Sequence, residues 1–429
     1  MTTDLDTAAP HHARTGRPGR LAFALLTVTT AGNLFTPLSA RLAQVDGEGT
    51  AMAGLAFAAY VGGALPVLLA GSSLPDRLGA LNTARLALGL ALAASLVMIL
   101  WPGILMLGLS RALLGIAVAT TSTLAPALMT AQCPPGTDPR RIAARVSVAT
   151  TFGFGFGAAL TALCLLLDPQ SWMQPVSGPI WIGMALLALT GLHGLPDAPR
   201  LTSGGTGLRW PAFPPGTLVF GGAICIAWAV VGLVIAVLPA SLARAGLGAH
   251  AGFATFLVIV PGILAVPAAR RMAPEIAIRR GLAVLVPGYA LIAWGALSGS
   301  VAAVFAGTAL AATACYGLIH AGGLAGILMR AGPLATRATA GFFLFAYAGF
   351  SLPVILTGAA ADQWGQTTAL TGFGAVLCLA ALILWRHSTI STGHKDFPTR
   401  PAKTPDQNAD QQGQVRAQGP GTPGGQRAG

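Results

Sequence analysis

This chain carries little charge. Only 9% of its 429 residues are charged, against about 25% in soluble domains, while 54% are hydrophobic and the mean hydropathy is +0.69. That deficit excludes a water-soluble globular fold and makes the chain an integral membrane protein. Cysteine is scarcer still. Four of the five (Cys164, Cys225, Cys315, Cys378) lie in apolar runs and Cys133 in a polar loop, without the paired spacing of a disulfide framework or a zinc site. No metal or cofactor is expected. The chain also lacks an HExxH, a GxSxG or paired intramembrane aspartates, the motifs an intramembrane enzyme would carry. The net charge of +12 would point to nucleic acid only on the basic face of a soluble domain, and the chain offers none.

What is present is a series of apolar runs. A crossing helix needs about 20 mostly apolar residues, and twelve such runs can be marked: 21–42, 51–70, 83–100, 103–130, 146–167, 176–192, 217–240, 251–268, 281–297, 301–329, 338–361 and 367–385. The first follows a polar stretch and has no small-residue cleavage site after it, so it reads as a retained span rather than a signal peptide.

Cytoplasmic loops collect Lys and Arg. The N-terminal tail, the even-numbered loops and the C-terminal tail hold 22 of the 25 basic residues, and the odd-numbered loops only Arg41 and Arg244. Both termini are therefore expected in the cytoplasm, with the chain in a plasma membrane, the inner membrane of a bacterium. Trp101, Trp172, Trp181, Trp364 and Trp385 fall at span ends, as an interfacial belt would place them.

The chain also repeats itself. "LPVLLAGSSLPDRLGALNTAR" at the end of span 2 lies over "VPGILAVPAARRMAPEIAIRR" at the end of span 8, matching Pro66 with Pro261 and Arg85 with Arg280 at an offset of 195. "TPLSAR" closes span 1 as "LPASLAR" closes span 7. Both matches pair span n with span n+6, which predicts two halves of common origin. The organisation expected is an N-terminal tail (1–20), a six-helix bundle (21–192), a Pro- and Gly-rich linker (193–216), a second six-helix bundle (217–387) and a disordered tail (388–429), the last holding almost nothing that enters a core.

The twenty-fifth basic residue is Arg111, inside the run "GILMLGLSRALLGIAVATTST". An arginine near a bilayer centre costs about 2.5–3.5 kcal/mol on insertion scales, so it faces the bundle interior. With Gly115 four residues on, admitting a close neighbouring helix, it resembles the span 4 pattern of the major facilitator superfamily.

Two further patterns resemble that superfamily. "SLPDRLGAL" is similar to its loop signature between spans 2 and 3, with Asp76, Arg77 and Gly79 matching, Ser72 in place of a glycine, and Ala80 and Leu81 in place of a basic pair. There the resemblance implies a gating turn. "GFGFGAAL" in span 5 resembles the glycine-rich element of the family's antiporters. Only the GxxxG of Gly153 and Gly157 survives, as a helix-packing element, with Ala158 at the proline position. The resemblance covers about residues 21–387 and implies twelve transmembrane helices in two pseudo-symmetric six-helix bundles, an all-α membrane fold.

Polar residues spaced four apart mark faces turned from lipid: Thr29, Asn33 and Thr36 in span 1, Arg111 and Ser122 in span 4, Tyr316 and His320 in span 10, Tyr347 and Ser351 in span 11, with Trp228 in span 7. Any single Ser or Thr can equally bond its own backbone. The resemblance implies a central cavity between the halves, and Asn33, Arg111, Trp228, Tyr316, His320 and Tyr347 are its candidate substrate-binding residues. None of the thirteen carboxylates lies mid-span, whereas proton-coupled relatives commonly carry a buried one. His320 is then the candidate proton carrier, and Arg111 supplies fixed charge for an anionic or polar group, or else only braces the helices. The expected function is secondary active transport of a small organic solute by a monomer, foremost efflux of a drug-like compound or metabolite. Uptake of a small polar or anionic metabolite is the alternative, and a non-transporting receptor or intramembrane enzyme the reading from another class.

Overall fold

The computed structural model describes residues 17–70, 78–198 and 210–390, and the statements below concern those residues. All regular structure among them is helical. Eleven helices are long and apolar enough to cross a membrane: Pro18–Val45, Thr50–Leu69, Ala80–Leu100, Ile104–Gln132, Arg141–Leu167, Leu218–Arg244, Gly248–Ala269, Pro274–Ser298, Val301–Ala331, Arg337–Trp364 and Gln366–Ser388. A twelfth, Ser177–Gly191, is apolar but has 15 residues, about 22 Å of helix against a hydrocarbon layer of about 30 Å. Counted as span 6, it completes spans 1 to 12.

Three expected boundaries move. Span 1 begins at Pro18 rather than after residue 20, because proline at the first helical position gives up an N–H that would have no partner there. The last helix runs on to Ile390, so 388–390 are not tail; Ser388 is buried and its hydroxyl donates to the Trp385 carbonyl at 2.7 Å. The polar break after span 6 is packed at its start: Leu195 is buried, and Gln132 Nε2 donates to the Pro196 carbonyl at 2.7 Å.

Spans 1 and 7 are each broken at matching places. Span 1 interrupts at Phe35, before Pro37, and resumes as Ser39–Val45; span 7 interrupts at Val237 and resumes as Leu238–Arg244, with Pro239 in its first turn. Proline cannot supply the N–H that would continue the ladder. The breaks fall in the two segments that match in sequence.

The helix contacts repeat with the same period. Spans 1·5, 2·4 and 3·4 pack together, and so do 7·11, 8·10 and 9·10; the halves meet through spans 2·11 and 5·8, again related by six. Glycines make these approaches possible. A Cβ on Gly157 would strike the Thr30 carbonyl of span 1, and one on Gly349 the Cys225 carbonyl of span 7.

Three carboxylates close the ends of helices remote in sequence. Asp46 Oδ2 accepts from Ile104 N at 2.7 Å at the start of span 4, and Asp197 Oδ1 from Leu81 N at 2.8 Å at the start of span 3. Asp362, at the end of span 11, accepts from Thr50 N and Ala51 N at 2.8 Å each at the start of span 2. A helix N-terminus presents unpaired N–H groups and partial positive charge, so each carboxylate is matched to what it caps. Asp362 does so across the two halves.

Candidate functional site

The halves touch over the side distal to the chain ends. There Gly54 lies against the Val354 carbonyl, Gly358 against Thr50 and Ala51, and Gly252 against Ala158 and Ala162. Within the second half, the Gln366 side chain of span 12 is bonded to both Ser241 and Arg244 of span 7 on that side. Towards the side carrying the chain ends the halves part around a cavity of about 720 Å³. It descends from Arg270, Leu328 and Leu68 to Arg111, Asn33 and Phe350. At that depth the Phe57 and Phe350 rings, with centroids 4.6 Å apart, join spans 2 and 11.

All six candidate binding residues, Asn33, Arg111, Trp228, Tyr316, His320 and Tyr347, line this one cavity, as does Ser122. Of the other stripe residues, Thr29 donates to the Leu25 and Leu26 carbonyls and Ser351 to the Tyr347 carbonyl, the backbone bonding open to any Ser or Thr in a helix.

Arg111 is 3% exposed and held from two spans. Its Nε donates to the Phe57 carbonyl at 3.2 Å, and Nη1 to the Gly32 carbonyl at 2.9 Å and Thr36 Oγ1 at 3.0 Å. Thr36 donates in turn to Asn33 Oδ1 at 3.3 Å, and Asn33 Nδ2 to the Phe154 carbonyl at 3.0 Å, tying spans 4, 1 and 5 into one relay. The guanidinium carbon stands 4.4 Å from the Phe57 ring centroid and 5.6 Å from that of Tyr60. Of five N–H donors, three are engaged; among the described residues none accepts from Nη2, and the residue borders the cavity. Arg111 therefore braces the first half, and Nη2 is the guanidinium nitrogen left without a protein acceptor among the described residues.

The second half contributes rings. Trp228 packs edge-to-face with Tyr347 and Phe350, centroids 5.5 Å away in each case, and tilts against Tyr316 at 6.3 Å. Its indole N–H is buried without an acceptor among the described residues. His320 lies 6.0 and 5.9 Å from the Phe342 and Phe343 rings and has no hydrogen bond there either.

Two features of the site were not anticipated. Tyr60, 6% exposed, lines the cavity beside Arg111; its only signal was rarity, since the chain has 4 tyrosines and three of them border this chamber. The other is a π-helical stretch, Thr313–His320, which carries both Tyr316 and His320. It packs on the 3₁₀ stretch Val260–Ala265 of span 8 where a Cβ on Gly317 would strike Gly262 and Ala265. Wide turns of this kind recur at functional sites.

The remaining candidates lie outside the cavity lining. Gly115 is where span 4 meets span 2, its hydrogens facing the Tyr60 carbonyl and Ala64 N; Gly153 faces Leu26 and Thr29 of span 1. Gly79 precedes span 3 with φ +84°, a conformation that disfavours side chains, and it abuts the Asp197 carboxylate that caps that span. Asp76 and Arg77 lie outside the described residues. No group of three or more His, Cys, Asp or Glu suited to a metal occurs among the described residues.

No protein-family model and no curated protein sequence matches this chain. Solved structures do. A mutant of the nucleoside transporter NupG superposes with a TM-score of 0.70 at 13% identity, covering 86% of this chain and 99% of the other. A bacterial homologue of the human lysosomal transporter Spinster, in an inward-facing and unoccupied conformation, gives 0.65 at 16% over 91% and 100%. A D-xylose–proton symporter gives 0.63 at 17% over 86% and 96%. At such identities the likeness speaks to architecture alone, and with twelve apolar helices among the described residues paired in two sets offset by six it identifies the chain as having the major facilitator fold.

Proposed function

We propose that the protein is a secondary active transporter that moves a small organic solute by alternating access, exporting a drug-like compound or metabolite. It works as a monomer in the bacterial inner membrane with both termini in the cytoplasm. One observation carries the reading: a chamber between two related halves reaches mid-span, sealed on one side by contacts across the halves and widening towards the other. Alternating access requires such a state and its mirror image. With cytoplasmic termini, the open side is the one from which an exporter loads.

In this reading Arg111, through Nη2, takes an anionic or polar group of the solute. His320, the histidine on the cavity wall, carries any proton coupling, since no Asp or Glu among the described residues lines that wall. The test is transport by sealed vesicles holding the purified protein, with Arg111→Ala and His320→Ala measured from about pH 6 to pH 8, the range in which imidazole ordinarily titrates. Wild-type rates in both variants throughout would end the assignment; loss in the first and an altered pH profile in the second are the results expected. One observation favours uptake as a second reading: span 5 is an unbroken helix, Pro139–Leu167, where the antiporter element would place proline at Ala158. Net accumulation in right-side-out vesicles separates the two directions.

A further inference from the structure

The chamber's two walls differ in chemistry, and the difference points to a class of solute. Among the described residues the lining includes two cations, Arg111 deep within and Arg270 at the mouth, and no carboxylate. Charge of one sign in a low-dielectric chamber favours the opposite sign and rejects its own. Arg111 is further restricted by its setting. Its guanidinium lies against the Phe57 and Tyr60 rings, and three of its donors are fixed on the protein. What remains is the terminal Nη2 amino group, which can donate a charge-assisted hydrogen bond to a carboxylate oxygen.

From that guanidinium a continuous file of rings crosses to the other half. Phe57 under the guanidinium touches Phe350, Phe350 touches Trp228, and Trp228 touches Tyr347 and Tyr316. The buried indole N–H without a partner and the tyrosine hydroxyls offer only isolated polar points. A cavity of about 720 Å³ lies within the range that encloses a drug-sized ligand.

We infer that the solute is an aromatic monoanion, its carboxylate on Arg111 Nη2 and its ring among Trp228, Tyr316 and Tyr347. The inference rests on the transport reading of this cavity and narrows it. Among the described residues no carboxylate lines the chamber to receive an organic cation.

The experiment uses the purified full-length protein and calorimetric binding of four probes: 2-naphthoate, its neutral amide, 2-naphthylmethylamine and cyclohexanecarboxylate. The expected order is naphthoate at least tenfold tighter than the amide and than cyclohexanecarboxylate, with no binding of the amine. Equal or tighter binding of the amine or the amide, or cyclohexanecarboxylate matching naphthoate, overturns the inference, as does failure of all four to bind. Arg111→Gln should abolish the preference for naphthoate over its amide. Because that arginine also braces three spans, Trp228→Leu is the companion variant; it should weaken naphthoate tenfold while leaving cyclohexanecarboxylate unchanged, and parallel losses for both would refute the ring site. The transport reading fails separately: vesicles that bind naphthoate yet move no solute at all would overturn transport while leaving the ligand class standing.

Discussion

Replacing Asp362 by asparagine should shift the balance between the two conformations rather than merely weaken the fold. Its carboxylate accepts from Thr50 N and Ala51 N at 2.8 Å each, so an acceptor of the second half holds two donors of the first. Asparagine keeps one acceptor, turns the other into a donor aimed at an N–H, and removes the charge facing the helix terminus. A hydrogen bond to a charged group contributes about 1.5–3 kcal/mol, and a charge at a helix N-terminus about 0.3–1 kcal/mol. Discounting for partial solvation leaves about 2 kcal/mol, or roughly a thirtyfold change in an equilibrium constant. That energy is present only while the distal side is closed, so it is subtracted from that state alone. Spin labels at Gln170→Cys and Ser298→Cys, both exposed on the distal side, would report the separation of the halves by pulsed electron resonance in a background without the five native cysteines. The long-distance population should grow in Asp362→Asn. Asp46→Asn is the control: it removes a similar cap, on Ile104 N, within one half, and should lower the melting temperature without moving the distances. Identical distance distributions in both variants would refute the reasoning.

Other outcomes follow from contacts of the same kind. Gly115→Val would press on the Tyr60 carbonyl and on Ala64 N, which lies 2.9 Å from where a Cβ would sit; overpacking of this sort costs about 1–3 kcal/mol, and detergent melting curves should fall by several degrees. Gly89→Ala, with nothing within 4 Å of the added carbon, should match or slightly exceed wild type. Thr36→Val removes both the acceptor for Arg111 and the donor to Asn33, leaving buried polar groups unpaired at about 1–3 kcal/mol; an unchanged melting temperature would mean the relay holds nothing together. Tyr289→Phe loses the bond from its hydroxyl to the Leu370 carbonyl, 2.7 Å long, between spans 9 and 12, and should cost about 1 kcal/mol with transport intact.

The crossings were readable because bilayer thickness dictates run length, and the proline breaks of spans 1 and 7 lay inside segments that already matched each other. The stripe of Asn33, Arg111, Tyr316, His320 and Tyr347 was readable because a polar side chain within a span must face away from lipid, and all five border the cavity. Periodicity does not say how a side chain is partitioned. That Arg111 both braces and faces the chamber depends on carbonyls of Gly32 and Phe57, backbone atoms with no signature in residue type. The acidic residues were located by where they do not occur; their work as caps joins positions up to 312 apart in the chain. Tyr60 has no polar neighbour four residues away to mark a face, and the wide turns of span 10 pack against span 8, a segment distant in the chain, where no local pattern marks them.

Those wide turns have a consequence for how the chain tolerates changes in length. A residue lost from an ordinary helix swings everything beyond it by about 100°. Such a loss elsewhere in span 10 would carry Arg330 away from Glu275, with which it pairs. Between Thr313 and His320 the backbone already spends more residues per turn than an α-helix needs. A deletion there can be absorbed by tightening the coil, leaving both flanking segments in register. The stretch that presents the tyrosine and the histidine is thus also the place where this helix carries slack.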